Sequence, residues 1–139
     1  MRSRIERAVT SDATGLVILG LSALVRGVSY FRANPDRIPA HWLEGQLSPT
    51  SWAWVWIAIG VGCFIAARAP RILPITVGLA VGLNSLWAIS FLILWATGDS
   101  PRAYVSALGY LATAGLAMWG FGRGRDPHVI VTIDKSGGS

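Results

Sequence analysis

The sequence predicts an all-α polytopic membrane protein, with four transmembrane helices in two antiparallel hairpins and both termini inside (N-in/C-in). Three observations predict it. The 139 residues are 53% hydrophobic and only 14% charged, whereas a soluble domain carries roughly 25% charged residues. The mean hydropathy of +0.50 is the reverse of a disordered composition and more apolar than a soluble globule of this size can hide. The apolar residues also fall in long runs separated by short polar breaks, the pattern of successive membrane spans. Four spans of about 20 residues use about 80 residues. The rest suffices for connections and two tails, with no separate soluble domain.

The elements follow in order. Residues 1–11 form a basic cytoplasmic N-terminus with Arg2, Arg4 and Arg7; Ser3 and Glu6 have the spacing of a capping box. A basic start before an apolar run also suits a signal peptide, but no small-residue cleavage site follows. The expectation is an uncleaved first span over 12–31. Arg26 lies near its end and is expected to snorkel to the interface.

Residues 32–48 form the outer loop. Asn34-Pro35-Asp36 signals a turn, and residues 39–47 are expected to make one or two helical turns on the membrane surface, carrying Trp42 and Leu43. Ser48-Pro49 is an N-cap and first-turn pair that opens the second span, 49–67. Trp52, Trp54 and Trp56 cluster at its start, where indoles favour the headgroup level; with Trp42 and Arg26 they are the expected interface anchors. Arg68-Ala69-Pro70-Arg71 is a basic break, and Pro74 opens the third span, 74–96. Gly98-Asp99-Ser100-Pro101 is the next break, and Ser100-Pro101 starts the fourth span, 101–121. Residues 122–139 form a basic cytoplasmic tail in which 128–134 reads as a strand by its β-branching.

Orientation follows from the cationic flanks. With the N-terminus inside, Arg2, Arg4, Arg7, Arg68, Arg71, Arg123, Arg125 and Lys135 are cytoplasmic, and Arg26, Arg32, Arg37 and Arg102 are outside. Eight against four obeys the positive-inside rule for an even span number in the cytoplasmic membrane. The net charge of +5 is accounted for by these flanks, which makes the lipid bilayer the partner and excludes nucleic acid.

Charges inside a membrane mark transport and catalysis, because burying them is expensive. All seven acids (Glu6, Asp12, Asp36, Glu44, Asp99, Asp126, Asp134) lie at span ends, in loops or in tails. That argues against an ion-coupled transporter and an intramembrane hydrolase. His41 and His128 fall on opposite faces, so no metal is expected, and the lone Cys63 reads as a core residue. No phosphate or dinucleotide fingerprint is present. The expectation is a protein without catalytic residues or cofactor.

The remaining signals concern helix packing. Gly78 and Gly82 form Gly-x-x-x-Gly on the third span. Ala58, Gly62 and Ala66 recur at four-residue spacing on the second, and Ser106, Gly109, Thr113 and Ala117 trace a face of the fourth. Small faces let helices approach where lipid supplies no hydrophobic drive. Two readings stand: packing within the four-helix monomer, or self-association into a homo-oligomer. Asn84, near the centre of the third span, is expected to bond across helices to Thr113 or Ser106.

The string Trp52-Ala53-Trp54-Val55-Trp56, the run 86–95 (Leu-Trp-Ala-Ile-Ser-Phe-Leu-Ile-Leu-Trp) and Leu108-Gly109-Tyr110-Leu111-Ala112 resemble the small four-span membrane proteins of actinobacterial phages and prophages, often encoded near tail or lysis genes. The resemblance covers about residues 13–121 and carries no catalytic residues with it. It implies a non-enzymatic accessory protein of the host cytoplasmic membrane, acting by helix packing and by binding an unidentified protein through the outer loop or C-terminal tail. The alternative it implies is a holin-like oligomeric pore.

Overall fold

The computed structural model describes residues 12–32, 34 and 38–122. The basic N-terminus, positions 35–37 of the turn expected after the first span and the strand-like run 128–134 lie outside the described residues. Four helices carry the fold: α1 (Asp12–Phe31), α2 (Pro49–Ala66), α3 (Leu73–Ala96) and α4 (Ala103–Gly122), with single 3₁₀ turns at Glu44–Gln46 and Pro70–Ile72. All four helices are long and apolar enough to cross a membrane.

Helix ends follow local chemistry. The Ser48 hydroxyl accepts from the Ser51 amide at 3.2 Å, and Pro49 sits in the first turn of α2, where its missing N–H costs nothing. After α3 the chain turns at Gly98, whose φ of +81° is one that a Cβ disfavours. Ser100-Pro101 does not open α4 directly. Ala103 and Val105 first bond back to Ser100 and Arg102 with three-residue spacing, and the regular helix begins at Ala103.

α1 packs chiefly on α2, and α3 chiefly on α4; α2–α3 and α1–α4 contacts are lighter. The α1–α2 approach depends on glycine. A Cβ on Gly27 would lie 2.7 Å from Ile57 Cγ1 and 2.9 Å from the Ala53 carbonyl; one on Gly60 would lie 2.9 Å from the Gly20 carbonyl. On α4 the inward stripe is Ala103, Ala107, Ala114 and Ala117, with Tyr110 completing its helical spacing.

Two apolar clusters result. One joins Leu16, Leu19, Cys63, Ala66, Val77, Ala80 and Ala117. The other joins Ala23, Leu43, Trp52, Trp56, Leu83 and Trp87 and gathers Tyr30, Phe91 and Tyr110 around it. The second cluster draws on the C-terminal half of α1, on α3 from its middle onward, and on the N-terminal halves of α2 and α4. Outside the clusters, large apolar residues such as Ile18, Val25, Leu79, Leu116 and Met118 are exposed, as a lipid-facing surface requires.

Candidate polar cavity at the aromatic end

The second cluster surrounds the one strongly polar locus among the described residues. Arg26 enters it from α1. Helical side chains lean toward the N-terminus of their own helix, so Arg26 leans away from the nearer end of α1 and into the bundle. The result is an inward guanidinium where an outward, snorkelling anchor was expected. Its Nη1 donates to Asn84 Oδ1 at 2.6 Å, and its Cζ lies 4.2 Å from the Tyr110 ring centroid and 5.1 Å from that of Trp56. Asn84 in turn donates to the Ala80 carbonyl at 2.8 Å. Thus Asn84 does bond across helices, but to Arg26; the Thr113 hydroxyl is directed at its own helix, to the Gly109 carbonyl, and Ser106 is exposed.

The segment after α1 closes this end. His41, Leu43 and Glu44 are buried while Trp42 is exposed, so this segment packs onto the helices. The cause is polar as much as apolar. The Trp52 indole N–H donates to the Glu44 carbonyl at 3.0 Å, and the Ala40 amide donates to the Glu44 carboxylate at 2.5 Å. The Glu44 amide donates to the His41 carbonyl at 3.1 Å and lies 3.3 Å from His41 Nδ1. Tyr30 lies beside Glu44 and Trp87 and lines the same space. The His41 ring meets Trp87 and Phe91 edge-on at 5.5 and 4.5 Å.

These groups enclose a half-open cavity of about 210 Å³ lined by Arg26, Ser29, Tyr30, Ala40, His41, Glu44, Trp87, Phe91 and Tyr110. Beneath it, Trp56 Nε1 is buried without a hydrogen-bond partner. Around it, exposed aromatics stand in edge-on pairs, Phe31 with Trp54 and Trp95 with Tyr104.

The expected anchors and packing residues are distributed as follows. Trp42 and Trp54 are exposed, but Trp52 and Trp56, one helical turn apart, both point into the core; a period of 3.6 turns Trp54 to the opposite side. On α2, Ala58 is exposed, Gly62 meets only the Thr76 methyl at 3.4 Å, and Ala66 is buried. On α4, Gly109 is exposed, Thr113 half-buried and Ala117 buried. Gly78, Gly82 and Gly109 have open space where a Cβ would go. The glycines in close contact between α1 and α2 are Gly20, Gly27 and Gly60, and Gly15 meets the Phe121 ring of α4 at 3.2 Å. On α1 their signal is the set of small residues at 20, 23 and 27, in three-four alternation with the helix period, which a four-residue spacing alone does not show.

Among the described residues no three His, Cys, Asp or Glu side chains gather as a metal site. Comparison with known proteins returns no matching family model, curated protein or solved structure.

Proposed function

We propose that the chain is a non-enzymatic accessory protein of the cytoplasmic membrane, encoded by a phage or prophage. Its four spans form two antiparallel hairpins with both ends in the cytoplasm, and its working end is the outer, capped end. The observation that carries this reading is the folded outer segment. Residues 38–48 are held over a polar cavity by buried His41 and Glu44, while Ile38, Trp42 and Leu47 face outward. A mere connector has no need of such a buried polar scaffold. The bias of cationic flanks toward one side supports the orientation, and the dominant α1–α2 and α3–α4 packing supports the hairpins.

The test is a photo-crosslinking residue at position 42 in cells expressing the chain. A discrete crosslinked species lost on Glu44→Ala, which unfastens the cap, supports the reading. No adduct at confirmed membrane expression removes it.

A second reading, a holin-like pore, draws on the open α3 face at Gly78 and Gly82, available for contact between copies. Membrane potential during timed expression separates the two. Collapse with the natural chain and its loss with Gly82→Leu would favour the pore; intact potential favours the accessory role.

A further inference from the structure

Arg26 is a charge inside an apolar span with no carboxylate partner among the described residues, and we infer that the cavity it lines binds a phosphate group. Charges within spans pair with one another or mark a place where an ion or substrate is held. The proposal rests on the reading of the capped end as the working end and names the ligand class taken there.

Donors are in surplus here. A guanidinium carries five N–H donors, and among the described residues Asn84 is its one hydrogen-bond acceptor. The others, on a half-buried side chain that lines the cavity, require oxygen acceptors from its occupant. Tyr110 lines the same cavity, and among the described residues its hydroxyl makes no hydrogen bond. Trp56, whose ring centroid lies 5.1 Å from the guanidinium carbon, has a buried N–H without an acceptor. The Glu44 carboxylate also lines the cavity, where it accepts from the Ala40 amide; among the described residues it makes no ion pair with Arg26. Its charge lowers the affinity for an anion but supplies none of the missing acceptors.

The donor geometry favours phosphate over carboxylate. The guanidinium carbon lies over the Tyr110 ring, 4.2 Å from its centroid, whereas the phenol hydroxyl lies in the plane of that ring. Donors from two planes suit a tetrahedral group, whose oxygens point in several directions; the two oxygens of a carboxylate share one plane. A phosphate also matches the guanidinium fork. Asn84 and two aromatic rings hold Arg26 in place, so binding needs little further ordering of this side chain. The same group arrives either on a lipid or as a free phosphate, and the two sources are separable.

The experiment is calorimetric titration of the purified full chain in nonionic detergent. The probes are dihexanoylphosphatidylglycerol, inorganic phosphate and acetate, each corrected by a detergent blank. At least one phosphate probe should bind saturably and about tenfold or more tighter than acetate. Tighter binding of the lipid probe makes the source a membrane lipid; inorganic phosphate binding at least as tightly makes it a free phosphate. Tyr110→Phe keeps the ring under Arg26 and removes only the hydroxyl, and should weaken the phosphate probe by about threefold to tenfold. Arg26→Gln should weaken it by about tenfold or more, with folding checked by circular dichroism. Tyr110→Phe remains decisive if Arg26→Gln does not fold. No saturable binding of either phosphate probe, acetate binding as tightly as phosphate, or an unchanged phosphate affinity in either folded variant overturns the proposal. Binding in detergent is indifferent to orientation and to protein partners, so absence of the crosslink at position 42 would defeat the functional reading and leave this result standing.

Discussion

Replacing Asn84 with Leu removes the acceptor that holds Arg26 in the bundle. Asn84 is 2% exposed and takes a 2.6 Å charge-assisted bond. Bonds to charged groups contribute about 1.5–3 kcal/mol in soluble proteins, whereas interhelical bonds in membranes average about 0.6 and reach about 1.7. Arg26 would keep its two aromatic faces, each contributing roughly 0.5–1 kcal/mol, and its edge on the cavity. The expected cost of Asn84→Leu is therefore about 1–2 kcal/mol. Arg26→Met loses the same bond and both aromatic contacts but also the burden of a partly buried charge, for a similar cost of about 1–2 kcal/mol. In the double variant both polar partners are gone, and an apolar pair of similar shape is close to neutral. The two costs should thus fall short of additivity by about 1 kcal/mol or more. The assay is equilibrium unfolding in mixed micelles against increasing SDS, read by tryptophan fluorescence. Additivity within about 0.3 kcal/mol would refute the argument that Arg26 and Asn84 act on each other.

Three further outcomes are expected from the same unfolding assay or from proteolysis. Gly27→Ala should destabilise by about 1–3 kcal/mol, because its Cβ meets the Ala53 carbonyl, which cannot move aside; Gly78→Ala and Gly82→Ala, with open space, should leave monomer stability unchanged or slightly raised. Ser48→Ala should cost about 1 kcal/mol through the lost α2 cap, while Ser51→Ala, which keeps the amide bond to Ser48, should cost less. Trp52→Phe removes the indole donor to the Glu44 carbonyl, loosening residues 38–48 by about 0.5–1.5 kcal/mol; limited proteolysis should cut that segment faster while the helices stay protected.

The helices were legible because span-length apolar runs and their breakers are local signals. Ser48-Pro49 marks the start of α2 with a side-chain acceptor and a fixed φ, both properties of two adjacent residues. Ser100-Pro101 carries the same letters but begins a turn, since the hydrogen bonds of that stretch run back over three residues. The polar end was less legible. Arg26 was readable as a charge near a span end, but its direction depends on the lean of side chains toward the helix N-terminus and on the rings waiting there. The Glu44 scaffold could not be read at all: Tyr30, Trp52 and Trp87 reach it from three helices, and no spacing within one segment announces that meeting. For tryptophan, composition suggested membrane anchoring throughout, whereas the helical period divides Trp52 and Trp56 from Trp54.

The most direct test is thiol labelling of single-cysteine variants in a Cys63→Ala background, with a membrane-impermeant maleimide on intact cells. A cysteine at exposed Gly45, on the cap, should label at once. A cysteine at exposed Arg68, between α2 and α3, should label only after permeabilisation. Labelling of position 68 on intact cells, with position 45 protected, would place the cap and its cavity on the cytoplasmic side and contradict the account.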